Sequence, residues 1–253
     1  MTPSAHLAAL ARTEFTLLLR SKANLVNVLV LPLMLVVSMK LIMDQLDLAA
    51  AGLSLGPVMI SSSAGIILLM ALYAPLTGIY VMRREQLILK RLRSGEISDV
   101  HVLLGAATPV GLVAPLQFLV VAVAISAMAS GTTLAHPILP VLGIVLGVAL
   151  TSALAAVTTL LARTAENVQI AILPGILLLP LTAGTYVPLE VFPDGVQDVL
   201  RFFPLTPVTE LVRAGWGDGM SVQHAAVAVL TLLVWTALAV LGVRRWFRWE
   251  PRT

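Results

Sequence analysis

The chain contains no cysteine, so disulfides, a thiolate nucleophile and cysteine-ligated metal are excluded. Charge is scarce as well: Asp, Glu, Lys and Arg make up 11% of the 253 residues, where a soluble domain carries about 25%. Lysine is scarcer still. Lys22, Lys40 and Lys90 follow Ser21, Met39 and Leu89, and none stands after glycine and before Ser or Thr as a Walker A loop requires, so the chain has no phosphate cradle of that kind. Aromatic residues make up 5%, which leaves little ring surface for stacking sugars. His6, His101, His136 and His224 divide between the two sides of the expected membrane, and HExxH is absent, so no metal site follows from them.

What is present is apolar. Hydrophobic residues reach 58% and the mean hydropathy is +0.98, values of an integral membrane protein. Six stretches are expected to cross as helices: 25–43, 58–81, 110–130, 138–162, 168–187 and 222–243. The first, nineteen residues at 1.5 Å each, spans about 28 Å, close to one hydrocarbon core. We read the whole chain, 1–253, as one all-α transmembrane domain. Ahead of the first span, Leu7, Leu10, Phe15, Leu18 and Leu19 are interleaved with Arg12, Glu14, Arg20 and Lys22, the pattern of an interfacial helix. A cleaved signal peptide is disfavoured because the apolar run exceeds a signal's core. Lys40, four residues before Asp44, reads as a snorkelling lysine paired at the surface.

The expected interiors of the second to sixth spans hold no Asp, Glu, Lys or Arg. Ion-driven carriers and channels depend on such groups, on broken helices or on carbonyl filters, so a self-contained transporter is disfavoured. Pro75 near the end of the second span predicts a kink. Pro109 and Pro115 stand near the start of the third, and Pro174 and Pro180 break the fifth. Gly143 and Gly147 form a GxxxG spacing that permits close helix approach. Gly52 to Gly56 matches GxSxG around Ser54, but a nucleophile elbow needs a strand before it, and this serine lies in a loop between membrane helices.

Two stretches interrupt the apolar pattern. The first, 81–99, reads VMRREQLILKRLRSGEISD. On a helical wheel Arg83, Gln86, Lys90 and Arg93 share one sector and Val81, Ile88 and Leu92 the opposite one, so an amphipathic helix is expected at the water boundary. Its basic face suits docking of a separate ATPase subunit; a solvated connector whose charge only sets orientation is the alternative. Glu85 has no basic residue at i±3 or i±4 and should be satisfied from outside its own helix. With the termini inside, Lys40, Arg201 and Arg213 fall outside and the other thirteen basic residues fall inside, which predicts cytoplasmic termini.

The second stretch, 186–219, reads YVPLEVFPDGVQDVLRFFPLTPVTELVRAGWGDG. Val196, Val199, Leu200 and Phe203 repeat at helical spacing, Pro204 and Pro207 end that helix, and a second short one begins near Val208. Two half-length helices cannot cross a bilayer. They suit an element that dips into the outer leaflet and returns, or a lid.

Six spans, the stretch REQLILKRLRSGEISDVHVLLG and the later GTYVPLEVFPDGVQDVLRFFPLTPVTELVRAG together resemble the membrane (permease) subunit of ABC-2 type transporters, over nearly the whole chain. Glu85, Leu89, Arg91, Leu92 and Val102 to Gly105 carry the early match; Gly184, Pro188, Pro193, Pro204, Leu205, Thr206 and Arg213 carry the later one. Gly95 stands where the family often has proline. The resemblance implies a dimer of identical or related membrane subunits on two copies of an ATPase, in a multi-pass plasma-membrane assembly of bacterial type, with no nucleic-acid partner. ATP and Mg belong to the ATPase, no cofactor to this chain, and the chain is no enzyme. Coupling is expected at Arg83, Arg84, Glu85, Gln86, Lys90, Arg91 and Arg93, on a helix from Met82 to Ser94. Outer re-entrant helices are expected around Pro188, Glu190, Pro193, Phe203, Pro204, Pro207 and Arg213. Family members export drugs, antibiotics, lipids, peptides or polysaccharides; the low aromatic content favours a hydrophobic or amphipathic small molecule.

Overall fold

The computed structural model describes Val26 and residues 30–43, 52–87, 99–129, 132–162, 164–217 and 219–247. Among these residues every regular element is helical. They are α1 (Leu31–Met43), α2 (Leu55–Glu85), α3 (Asp99–Met128), α4 (Ile138–Thr158), α5 (Val168–Thr182), α6 (Asp194–Leu200), α7 (Thr206–Trp216) and α8 (Val222–Trp246), with a 3-10 turn at Leu189–Val191. Four of them, α2, α3, α4 and α8, are long and apolar enough to cross a membrane.

The bundle is built around α2. Its most apolar stretch is 83% buried, against 22% for α8, so α2 is the hub and α8 lies at the periphery. Ile60, Leu69, Leu72, Leu76 and Val81 are fully enclosed along it. Midway, the helix loosens into a π-turn at Leu68–Tyr73, which closes with the Ala74 N–H donating to the Leu69 carbonyl five residues back. Pro75 follows at the start of the next α-segment. Proline has no N–H to offer Ala71, and the wider turn absorbs the missing bond in place of a simple bend.

Because lipid is as apolar as leucine, burial alone does not hold membrane helices together; close packing does. The GxxxG pair serves that purpose within the chain. A Cβ at Gly147 would stand 2.8 Å from Leu68 and 3.2 Å from Val208, and one at Gly143 would stand 3.2 Å from the Val208 carbonyl and from Leu211. At Gly215 a Cβ would meet Pro140 Cδ at 2.5 Å. Helix α7 therefore runs antiparallel along the first half of α4, backbone against backbone. The Gly215 carbonyl accepts the N–H groups of Ala135 and His136, both at 3.0 Å, and fastens its end. Buried hydroxyls are satisfied mostly by their own helices, as Ser61 by the Val58 carbonyl, Ser63 by Ile60 and Thr151 by Gly147.

Several boundaries differ from the sequence reading. The third helix begins at Asp99, so Pro109 and Pro115 lie in its interior. Each has glycine four residues earlier, Gly105 and Gly111, where a flexible backbone relieves the clash of the ring with that carbonyl. The fifth apolar stretch stops at Thr182 and is shorter than a full span; Gly184, at φ +64°, turns the chain in a conformation that glycine adopts without cost. The helix expected to start at Met82 does not start there: Met82 to Glu85 complete α2, and the turn comes at Gln86 and Leu87, the latter at φ +58°. The sixth apolar stretch is capped by Ser221, whose hydroxyl accepts the His224 N–H. The interfacial helix at 4–22, Asp44, Lys90, Arg91 and Arg93 lie outside the described residues.

Candidate functional site

At about 46 Å for its 31 residues, α2 reaches from one end of the bundle to the other, and polar residues gather at both ends. At the Glu85 end, Arg84 is 1% exposed. Its Nη1 donates to the Thr159 carbonyl at 3.1 Å and its Nη2 to the Ala162 carbonyl at 2.6 Å. These acceptors lie just past the last turn of α4, where a helix leaves carbonyls unpaired and carries partial negative charge. A planar guanidinium meets both at once. Next to it, Glu85 Oε1 accepts the Ala165 N–H at 3.0 Å, the satisfaction from outside its own helix that its neighbours called for. Together they clasp the α4–α5 connection. Higher up, Tyr73 Oη pairs with Thr158 Oγ1 at 2.9 Å, and Tyr80 Oη donates to the Leu103 carbonyl of α3 at 3.0 Å.

This placement divides the basic set read from the sequence. Arg84 points into the bundle. Arg83 is half-buried on the last turn of α2 and Gln86 is exposed just after it.

At the opposite end, the start of α2, Glu190 and residues of α6, α7 and α8 line a half-open cavity of about 670 Å³. Arg213 of α7 holds Glu190 with both guanidinium nitrogens, Nη1 to Oε2 at 3.0 Å and Nη2 to Oε1. Arg201 lies 3.3 Å from Asp198 and, through Nε, 3.6 Å from Glu210 Oε1. Burial pushes the Glu210 carboxyl above the usual carboxylate range; Arg201 and Arg213 oppose the shift and Glu190 adds to it. His224, Ser54 and Thr231 also line the space.

The prolines set these side chains in position. Pro188 is buried and extended ahead of the 3-10 turn that presents Glu190. Pro193 precedes α6. Pro204 is buried, Pro207 occupies the first turn of α7, and Phe203 is 38% exposed. The start of α7 is pinned to the end of α5, with Thr206 Oγ1 donating to the Thr182 carbonyl at 3.0 Å and Thr209 Oγ1 to Ala183 at 2.7 Å.

The sequence reading singled out Glu190 and Arg213 but missed Arg201, Glu210 and His224 as their neighbours. A signal was there: Glu210 and Arg213 are three apart on a helix whose other face is Val208, Leu211 and Val212. Ser54 opens α2 in an extended conformation, unpreceded by a strand among the described residues, so its surroundings are those of a helix start.

A family model described as ABC-2 family transporter protein matches residues 20–241. The chain belongs to that family. It is a membrane permease of an ABC transporter, a transport component that works with an ABC ATPase in the membrane. The comparison with curated proteins returns no match. The two ends of α2 are built differently: near Glu85 the charged groups are tied to backbone, and near Ser54 they line open space.

Proposed function

We propose that the chain is the membrane half of an ATP-driven exporter, two membrane subunits, identical or related, seated on two ATPase copies that bind ATP and Mg. In this reading residues 25–43 and 168–187 complete six crossings. Both termini and the 83–93 segment face the cytoplasm of a bacterial cell, and residues 190–214 re-enter the outer leaflet. The cargo is a hydrophobic or amphipathic small molecule such as a drug or antibiotic, so the system acts in efflux and resistance.

The clasp is the observation that supports this reading best. A push delivered just beyond Gln86 reaches a helix end tied to α4 by Arg84 and to the following loop by Glu85. Movement there is shared by several helices at once. Such a linkage suits a bundle whose drive comes from a neighbour beneath it.

The test is transport and ATP hydrolysis by the chain co-reconstituted with its ATPase. Reversing charge at Lys90 and Arg91, or replacing Glu85 by Gln, is expected to leave the protein in the membrane and ATP turnover present while transport falls by roughly tenfold or more, the effect of losing about 1.4 kcal/mol of coupling. Normal pumping by these variants would overturn the coupling assignment. Transport by the purified chain alone, driven by an ion gradient without nucleotide, would instead establish a secondary carrier. Accumulation of a lipid, peptide or polysaccharide in place of small amphiphiles would move the cargo to another class.

A further inference from the structure

We propose that the cavity between the start of α2 and helices α6, α7 and α8 binds a cationic amphiphile, its protonated amine held by the Glu210 carboxylate and its apolar body laid against Leu53, Phe202 and Met220. A volume of about 670 Å³ suits a drug-sized molecule. The charges facing it are unevenly committed. Glu190 is saturated by the two-pronged contact with Arg213. Asp198, 71% exposed, shares Arg201 with Glu210. The His224 ring engages Ser221 through Nδ1 at 3.1 Å. Glu210 differs from all of these: its side chain is 20% exposed, and the 3.6 Å approach of Arg201 Nε is too long for a hydrogen bond. A partly buried carboxylate left with unused acceptor capacity gains most from a charged donor that arrives with the ligand.

The sign of the ligand follows from the same inventory. Three carboxylates face the space, and both guanidiniums already have carboxylate partners, so an added anion would meet two occupied arginines and three like charges. An added amine would complete the set. A metal ion is a poor alternative, because no three His, Asp or Glu side chains among the described residues converge to hold one. The apolar wall completes the match to an amphiphile, since a small hydrophilic amine would leave Leu53, Val58 and Val227 facing nothing.

The inference deepens the export reading by naming a cargo class, and binding can be measured apart from pumping. The probe is a dansylated long-chain primary amine, compared with its N-acetylated, neutral counterpart, on the full-length protein in nanodiscs with protein-free discs as background. Wild type is expected to prefer the amine. Glu210→Gln should weaken amine binding by roughly tenfold or more, the scale of one charge-assisted hydrogen bond, and leave the amide unaffected. Arg201→Gln removes the competing cation and should tighten amine binding. Equal binding of amine and amide by wild type, or an unchanged preference in Glu210→Gln, would overturn the proposal; should that variant fail to fold, absence of tightening in Arg201→Gln overturns it alone. If the amine binds as stated yet is not carried when the ATPase is supplied, the export reading fails and the site stands.

Discussion

The two ends of α2 use polar residues in opposite ways. At the Glu85 end, Arg84 and Glu85 are paired with backbone groups of one connection, so each charge is answered by a dipole that cannot move away. At the Ser54 end, charged side chains face one another around open space, and one of them, Glu210, is incompletely satisfied. A charge spent on backbone makes a fastening. A charge held by other side chains can change partners, because rotamers exchange far more readily than a helix end can be rebuilt.

The strongest way to break this contrast is to cut the fastening. Arg84→Ala leaves the carbonyls of Thr159 and Ala162 buried without their donor and is expected to destabilise the protein by about 2–4 kcal/mol, read as a fall in thermal midpoint of the purified permease. Arg84→Lys should recover only part, since one ammonium cannot meet two carbonyls in fork geometry. Full recovery would mean that charge alone matters there.

A smaller effect tests how each end is packed. Gly215→Ala drives a Cβ into the rigid ring of Pro140, 2.5 Å away, and should cost about 1–3 kcal/mol. Gly78→Ala, toward the clasp end, meets nothing within 4 Å and should be neutral or gain up to about 1 kcal/mol from helix propensity. Equal outcomes would show that backbone contact between α7 and α4 is not what closes the cavity end.

The smallest effect is a slope with pH. Burial raises the Glu210 carboxyl above its ordinary value, so the folded protein holds that proton more tightly than the unfolded chain does. Its stability is therefore greatest below the unfolded carboxyl value and declines as pH climbs through the window up to the raised one. Glu210→Gln removes this decline, so the difference in thermal midpoint between variant and wild type should grow in the variant's favour across that window. A difference independent of pH would show that folded and unfolded chains hold the Glu210 proton equally.

Periodicity and composition made the membrane class, most span positions and the two polar interruptions legible. Glu85 was legible too, because an isolated carboxylate on an apolar face has to find a donor elsewhere. What stayed hidden depends on neighbours distant in sequence. Nothing local distinguishes Arg84 from Arg83, yet one residue of rotation turns Arg84 inward to a helix end 75 residues on. The Glu210 cavity joins residues from 52 to 231, and only their convergence reveals which carboxylate is under-satisfied. The start of the third helix was misjudged: Pro109 and Pro115 were placed near it, but the glycines four residues before each let the helix run from Asp99 straight through them.

The π-turn at Leu68–Tyr73 has one more consequence. It holds one residue more than an α-turn would in the same rise, so the two halves of α2 are out of phase by about 100°. Excising a single residue there would restore an unbroken α-helix and leave hydropathy almost untouched. It would also keep the guanidinium of residue 84 on its carbonyls, whereas closing the same six residues as regular α-helix would swing it about a quarter of a circle away, so an inconspicuous apolar sextet sets the compass bearing of the distant arginine.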